Sequence, residues 1–380
     1  MRWGREGTLM NPSLGRRGPV VSARRISLAV LAAAATGVVL ASCGSGPALP
    51  SLTIPSLGAL GGHTPTAAAG AGAWSSPVKV DSTDTAGLIG VSCVSSSFCV
   101  AIDAEGNAFT YSSGTWSSAT NIDSTIVNGN VSENSLQSVS CASTTFCVAG
   151  DAKSNVMIYN GTSWSAPQSV DPNTGAGFFA VSCPTTSFCM AVDGASNYTD
   201  YNGTSWSTAA GIDPNSTVLS SELTDVSCAS PTFCIAVDGA DHSIVYNGTA
   251  WGQPQTLNTP GGQQPVIPYV SCASSTFCVG AGSINDTSEY LVTYDGSAWS
   301  NPIPAESSPD EYIALSCVSG PFCMVLEAGG HMVLYNGSSW AHPEQIEPLT
   351  EDALPTAVSC ASASFCMAVD SAGNDLISTP

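Results

Sequence analysis

Short runs of apolar and β-branched residues, four to six long, recur along most of the chain, separated by Gly, Asn, Asp and Ser. Phe98-Cys99-Val100-Ala101-Ile102 and Val156-Met157-Ile158-Tyr159 are two of them, and such runs read as β-strands. Nowhere among them does an apolar spacing of three and four persist over ten residues, which removes helical repeats. Residues 26–40 break the pattern, because they are almost wholly apolar. Fifteen such residues fall short of the roughly 20 that span a bilayer as a helix.

The runs belong to a repeat of Val-Ser-Cys-x5-Cys, an apolar strand, and then Tyr-Asn-Gly-Thr-Ser-Trp with some drift. The cysteines fall in seven pairs: Cys93 with Cys99, Cys141 with Cys147, Cys183 with Cys189, Cys228 with Cys234, Cys272 with Cys278, Cys317 with Cys323, and Cys360 with Cys366. Ser precedes every first Cys (Ser92 to Ser359), and Phe precedes every second one (Phe98 to Phe365). Each unit reads as four strands: the Val-Ser-Cys segment, the segment from the Phe, the stretch ending at Tyr, and one beginning at Trp, as in Trp164-Ser165-Ala166-Pro167. Asn160-Gly161, Asn202-Gly203, Asn247-Gly248 and Asn336-Gly337 are hairpin turns, since Asn and Gly tolerate positive φ.

Four strands in about 44 residues, seven times over, predict an all-β, seven-bladed β-propeller. The ends of the chain support closure. The seventh unit stops at Pro380 before any Trp, while Gly72-Ala73-Trp74-Ser75-Ser76-Pro77 matches Gly161 to Pro167. Residues 74–80 are therefore expected to complete the last blade and leave no open sheet edge. A β-solenoid, the competing fold, calls for distinct caps instead of one unit split across both ends. With units such as Val139-Ser140-Cys141-Ala142-Ser143-Thr144-Thr145-Phe146-Cys147, the chain resembles exported bacterial, actinobacterial-type lipoproteins built from seven-bladed propeller repeats. The resemblance covers residues 74–380 and assigns no activity. Kelch and WD-repeat propellers are similar only in architecture, their signature residues being absent.

Composition sharpens the picture at the N-terminus. Six of the eight basic residues, Arg2, Arg5, Arg16, Arg17, Arg24 and Arg25, precede the apolar run, as in an export signal. Leu40-Ala41-Ser42-Cys43 then resembles a bacterial lipobox, which implies cleavage before Cys43 and acylation of that residue. Cysteine parity agrees: of 15 cysteines, 14 form the repeat pairs and Cys43 is left over. The expected domains are a signal peptide at 1–42, a lipidated Cys43 with a Gly/Pro/Ala tether at 43–72, and the propeller at 73–380. Lipid attachment would hold the protein on the outer face of the cell membrane. A monomer is expected.

Beyond residue 42 only Lys79 and Lys153 stand against 28 acids, a balance of −26 with no Arg. That excludes nucleic acid as a partner, because phosphate neutralisation needs Lys and Arg. The cysteine pairs read as disulfides across the first hairpin of each blade. Zinc needs four ligands, whereas each unit offers two thiols and no nearby His.

Two periodic acid positions are candidate chemistry. Asp81, Asp123, Asp171, Asp213, Glu306 and Glu347 lie seven after each Trp, with Asn258 the exception. Asp103, Asp151, Asp193, Asp238, Glu327 and Asp370 lie four after each second Cys, with Gly282 the exception. Both sets are expected on one face. Turn chemistry accounts for them if the carboxylates accept backbone N–H groups. Otherwise the first set is a carboxylate ring for calcium or for the cationic patch of a partner. The Tyr–Trp pairs, from Tyr111 with Trp116 to Tyr335 with Trp340, suit stacking on a glycan or packing between blades. His242 and His331 occupy the same position in blades 4 and 6. No unique catalytic constellation stands out. The expected function is a non-enzymatic, lipid-anchored module presenting one propeller face to a glycan, protein or peptide. The alternative is a calcium-dependent hydrolase or lyase with an acidic site at the axial mouth.

Overall fold

The computed structural model describes residues 74–80, 87–123, 135–171, 177–212, 222–239, 242–257, 265–284, 288–304, 310–346 and 353–378. Cys43, with the signal and tether, lies outside the described residues, as do Asp81, Asp213, Glu306 and Glu347. Among the described residues there is no helix. The strands form seven antiparallel sheets, the blades of a closed propeller: six have four strands, and blade 1 has five because its outer strand is split into Thr115–Trp116 and Thr120–Asn121. The first strands, from Leu88–Ser95 in blade 1 to Pro355–Ser362 in blade 7, touch one another in turn right round the ring and so line the axis.

Closure runs through the chain ends, as the repeat arithmetic requires. Val78–Lys79 pairs with Asn374–Ile377, in register Val78 to Asp375 and Lys79 to Asn374. Ser75 N–H donates to the Ile377 carbonyl at 2.8 Å, and Val80 N–H donates to that of Gly373 at 2.9 Å. Trp74 bridges Ser378 and occupies the slot that Trp299 fills elsewhere. The indole N–H groups of Trp299 and Trp74 reach the second residue of the preceding blade's third strand: Ser243 Oγ for Trp299 at 2.9 Å, and Met332 Sδ for Trp74 at 3.2 Å.

The second strand of each blade explains its unbroken apolar run. Phe98–Asp103 and Phe188–Asp193 are buried at every position, because both faces of the blade pack against a neighbour. The core is accordingly divided into seven wedges. Each is shared by two adjacent blades and contains one Trp, from Trp164 between blades 1 and 2 to Trp116 between blades 7 and 1. In five blades the Phe before the second Cys meets the Tyr of the next blade, as in Phe146–Tyr201 at 5.8 Å and Phe277–Tyr335 at 5.4 Å between ring centroids. This outer-wedge packing is the role of the Tyr–Trp pairs in the fold.

All seven expected cysteine pairs are disulfides across the first hairpin. Cys93 joins Cys99, Cys141 joins Cys147, Cys183 joins Cys189, and Cys228 joins Cys234. Cys272 joins Cys278, Cys317 joins Cys323, and Cys360 joins Cys366. Their Cα atoms are 3.9–4.1 Å apart. The second cysteine of each pair is the more deeply placed: Cys189, Cys234 and Cys323 are wholly buried and Cys366 nearly so, because they lie on the second strand, between two neighbouring blades. The disulfides point to an oxidising, extracytoplasmic compartment.

The Ser before each first Cys has a role of its own. Its Oγ accepts the N–H of the next blade's first Cys: Ser92 from Cys141, Ser140 from Cys183, Ser182 from Cys228, Ser227 from Cys272, Ser271 from Cys317, Ser316 from Cys360, and Ser359 from Cys93. Every one is 2.9 Å long. The seven form a ring of side-chain hydrogen bonds that crosses every seam.

The fourth strand differs from its sequence reading. Trp164 makes a single bridge to Tyr159, and the chain rejoins the sheet only at Gln168–Ser169. Pro167 has no N–H to give, and Ser165 Oγ takes the Ile158 N–H in place of a backbone acceptor, at 3.0 Å. The turn before it is as expected: Gly161 has φ +94°, and Asn160 Oδ1 accepts from Thr162 and Ser163 N–H, each at 3.0 Å.

Candidate functional site

The two faces of the propeller differ in charge. One carries the first-to-second and third-to-fourth turns. The Cys-x5-Cys turns there hold no charged residue, and Asp295 is the only acid in the third-to-fourth turns. Hydroxyls dominate, for example Ser143 and Thr145, whose oxygens lie 3.2 Å apart. The opposite face carries the second-to-third turns and the ends of the connections between blades, and among the described residues it collects most of the acids.

On that face five of the acids four after the second Cys, Asp103, Asp151, Asp193, Asp238 and Asp370, are buried turn caps. Asp103 Oδ1 accepts Glu105 N–H at 2.9 Å and Asn107 N–H at 2.8 Å, and Oδ2 accepts Asn107 Nδ2 at 2.8 Å. Asp151, Asp193 and Asp370 repeat the pattern with Asn155, Asn197 and Asn374. In blade 4 His242 replaces the Asn, with Nδ1 2.8 Å from Asp238 Oδ2. The positive φ of Ser154 (+60°) and Ser196 (+62°) belongs to the same tight turn.

Of the acids seven after the Trp, the structure describes Asp123 and Asp171, and it buries both, at 0% and 3% exposure. Each lies near a cap of the following blade. Burial pushes the Asp151 carboxyl up, hydrogen bonds from Asn155 and Lys153 pull it down, and the Asp123 charge adds to the rise. Asp193 is raised by burial in the same way, with Asp171 adding to it. Asp123 with Asp151, and Asp171 with Asp193, thus meet as pairs across a seam. The sequence contained a signal for this, since its two exceptions, Asn258 and Gly282, fall at the same seam.

Other acids gather unevenly around blades 4 to 6. Asp225, on the inner strand Leu223–Ser230, clamps a seam: Oδ1 accepts its neighbour Val226 N–H at 2.8 Å, and Oδ2 accepts Val270 N–H of blade 5 at 2.9 Å. Burial pushes its carboxyl up to about 7. Only about half-buried by surface area, Asp225 is nevertheless walled in by the surrounding inner strands, and that enclosure raises it. Tyr269 beside it is pushed up to about 12, first by burial and then by Glu311, Asp225 and Glu289. Glu222 and Glu311 are exposed. In blade 6, Asp310, Glu327 and His331 bring one ligand atom each within 4.8 Å of one another.

No protein family and no curated protein matches the sequence. Solved structures show the fold. YCF48 from Cyanidioschyzon merolae superimposes with a TM-score of 0.63 at 12% identity, over 81% of this chain and 99% of that one. A YCF48 structure bound to D1 peptide gives 0.61 at 12% identity, over 82% and 99%. Virginiamycin B lyase from Staphylococcus aureus gives 0.64 at 7% identity, over 81% and 99%. At these identities the likeness is one of architecture: this chain is a seven-bladed β-propeller, like them.

Proposed function

We propose that the protein is an exported, lipid-anchored, non-enzymatic binding module that presents its acidic face to a cationic peptide or protein surface. The segregation of charge carries this reading. A face rich in carboxylates beside an almost uncharged one gives a directional field, which steers and orients a basic partner. Peptide binding by a propeller of this architecture has a precedent in YCF48 bound to D1 peptide. A glycan ligand draws less support, because the Tyr–Trp rings fill the wedges between blades.

The test is anisotropy of labelled peptides of graded charge, at about 50 and about 300 mM salt. Cationic peptides should bind and weaken several-fold at the higher salt, and E222Q/E311Q should weaken them further. Binding that ignores both salt and these substitutions sinks the reading. Binding of neutral glycans alone would favour the aromatic pairs. For the anchor, Cys43→Ser should move the protein out of the membrane fraction.

The second reading, a calcium-dependent hydrolase or lyase at the axial mouth, draws on the acids around Tyr269 and on the lyase among the structures of like fold. It requires turnover that a calcium chelator abolishes.

A further inference from the structure

We propose that Asp310, Glu327 and His331 bind one divalent transition-metal ion of the zinc type. The seven blades provide their own controls. At five other blades the position of Glu327 is Asp, and at Asp103, Asp151, Asp193 and Asp370 the residue four later is an Asn that bonds to it directly. Blade 4 has His242 there, and its Nδ1 closes directly on Asp238 at 2.8 Å. Blade 6 departs at four places together. Glu327 replaces the Asp, His331 replaces the Asn, Asp310 enters from the preceding connection, and Gly329 stands where the other blades have Glu105, Lys153, Ala195, Ala240, Ile284 and Ala372.

Gly329 has a spatial reason. A Cβ there would lie 1.7 Å from Asp310 Oδ2, so only Gly admits that carboxylate. The result is not a closed turn cap. His331 Nδ1 is shut off from solvent with no hydrogen bond, and Asp310 Oδ2 stands 3.5 Å away. That gap is long for a hydrogen bond, but two donors at about 2.1 Å from one tetrahedral ion lie roughly 3.4 Å apart. Glu327, fully buried, supplies the third ligand atom. Two carboxylates and an imidazole suit zinc and its neighbours, whereas calcium prefers six or more oxygens. Three protein ligands leave the fourth position to water. The site is independent of the peptide-binding reading and would exist without it.

The experiment is titration of the chelator-stripped protein with Zn²⁺ by calorimetry, and with Co²⁺ by visible absorption. One equivalent should bind, with the intense d–d bands of a low-coordinate cobalt site. H331A, D310N and G329A should each weaken binding by at least about tenfold. H242A should bind as the parent does, and unchanged circular dichroism of the metal-free variants would show that they fold. No saturable binding below about 1 mM overturns the proposal and leaves a His–Asp ion pair. So does binding that H331A leaves intact, or a site that takes calcium in preference to zinc.

Discussion

The ring of serine hydrogen bonds makes a quantitative claim. Ser271→Ala deletes the acceptor for the Cys317 N–H across the seam between blades 5 and 6. An orphaned buried N–H costs about 1–3 kcal/mol. Ser271 is only half-buried and sits on an axis-lining strand, so water can replace part of the bond. The expected loss is therefore near the lower end, about 1 kcal/mol. Ser92, Ser182 and Ser271 belong to blades 1, 3 and 5 and share no partner, so the triple alanine variant should lose about 3 kcal/mol, the sum of the singles. The assay is equilibrium urea unfolding without reductant. At a slope of about 1–3 kcal/mol per molar, each single change lowers the midpoint by roughly 0.3–1 M with the slope unchanged. The control is Ser339→Ala, at an exposed turn residue that bonds Asn336 through its backbone N–H, and it should stay within about 0.5 kcal/mol of the parent. If Ser271→Ala behaves like Ser339→Ala, the ring contributes nothing and the recurring Ser of each repeat needs another explanation.

Three further outcomes follow from the geometry. Trp74→Ala empties the wedge between blades 6 and 7 and unpins the closing strand, so it should cost about 3–5 kcal/mol, read as a fall in melting temperature. Replacing Cys272 and Cys278 together by Ser should cost about 2 kcal/mol in the same scan, and thiol titration of the unfolded, unreduced protein should find none of the fourteen repeat cysteines. Asp225 at about 7 and Asp375 at about 6 lie above the ~3.9 of an unfolded Asp, both chiefly through burial. The folded state therefore holds extra protons between about pH 4 and 7, and stability should fall as pH rises through that window. D225N should flatten the fall; an unchanged pH profile would contradict the assignment.

Blade number, strand identity, disulfide pairing and the splitting of one blade across both chain ends were legible in the residues alone. Each is a local signal multiplied by seven: Val-Ser-Cys-x5-Cys can only be a tight hairpin, and Trp74 without a Tyr before it matches the last unit without a Trp after it. The broken fourth strand was partly legible in Pro167, which has no N–H to give a ladder, but blades 1 and 3 break in the same place with Ala119 and Ala209 there. What joins residues some 45 positions apart was not. The Ser was seen to recur, but its partner is the Cys of the next blade, and only the stacking of blades brings the two within 2.9 Å. Asp123 and Asp151 stood in two separate periodic sets expected on one face, and packing buries them side by side across a seam. Asp310 carried no periodic signal at all and became notable only when Gly329 left room for it beside His331 and Glu327. Periodicity fixes what each blade is made of, because strand and turn preferences act within a few residues. The seams are set by close packing between blades, and there the tertiary structure alone decides which polar groups meet.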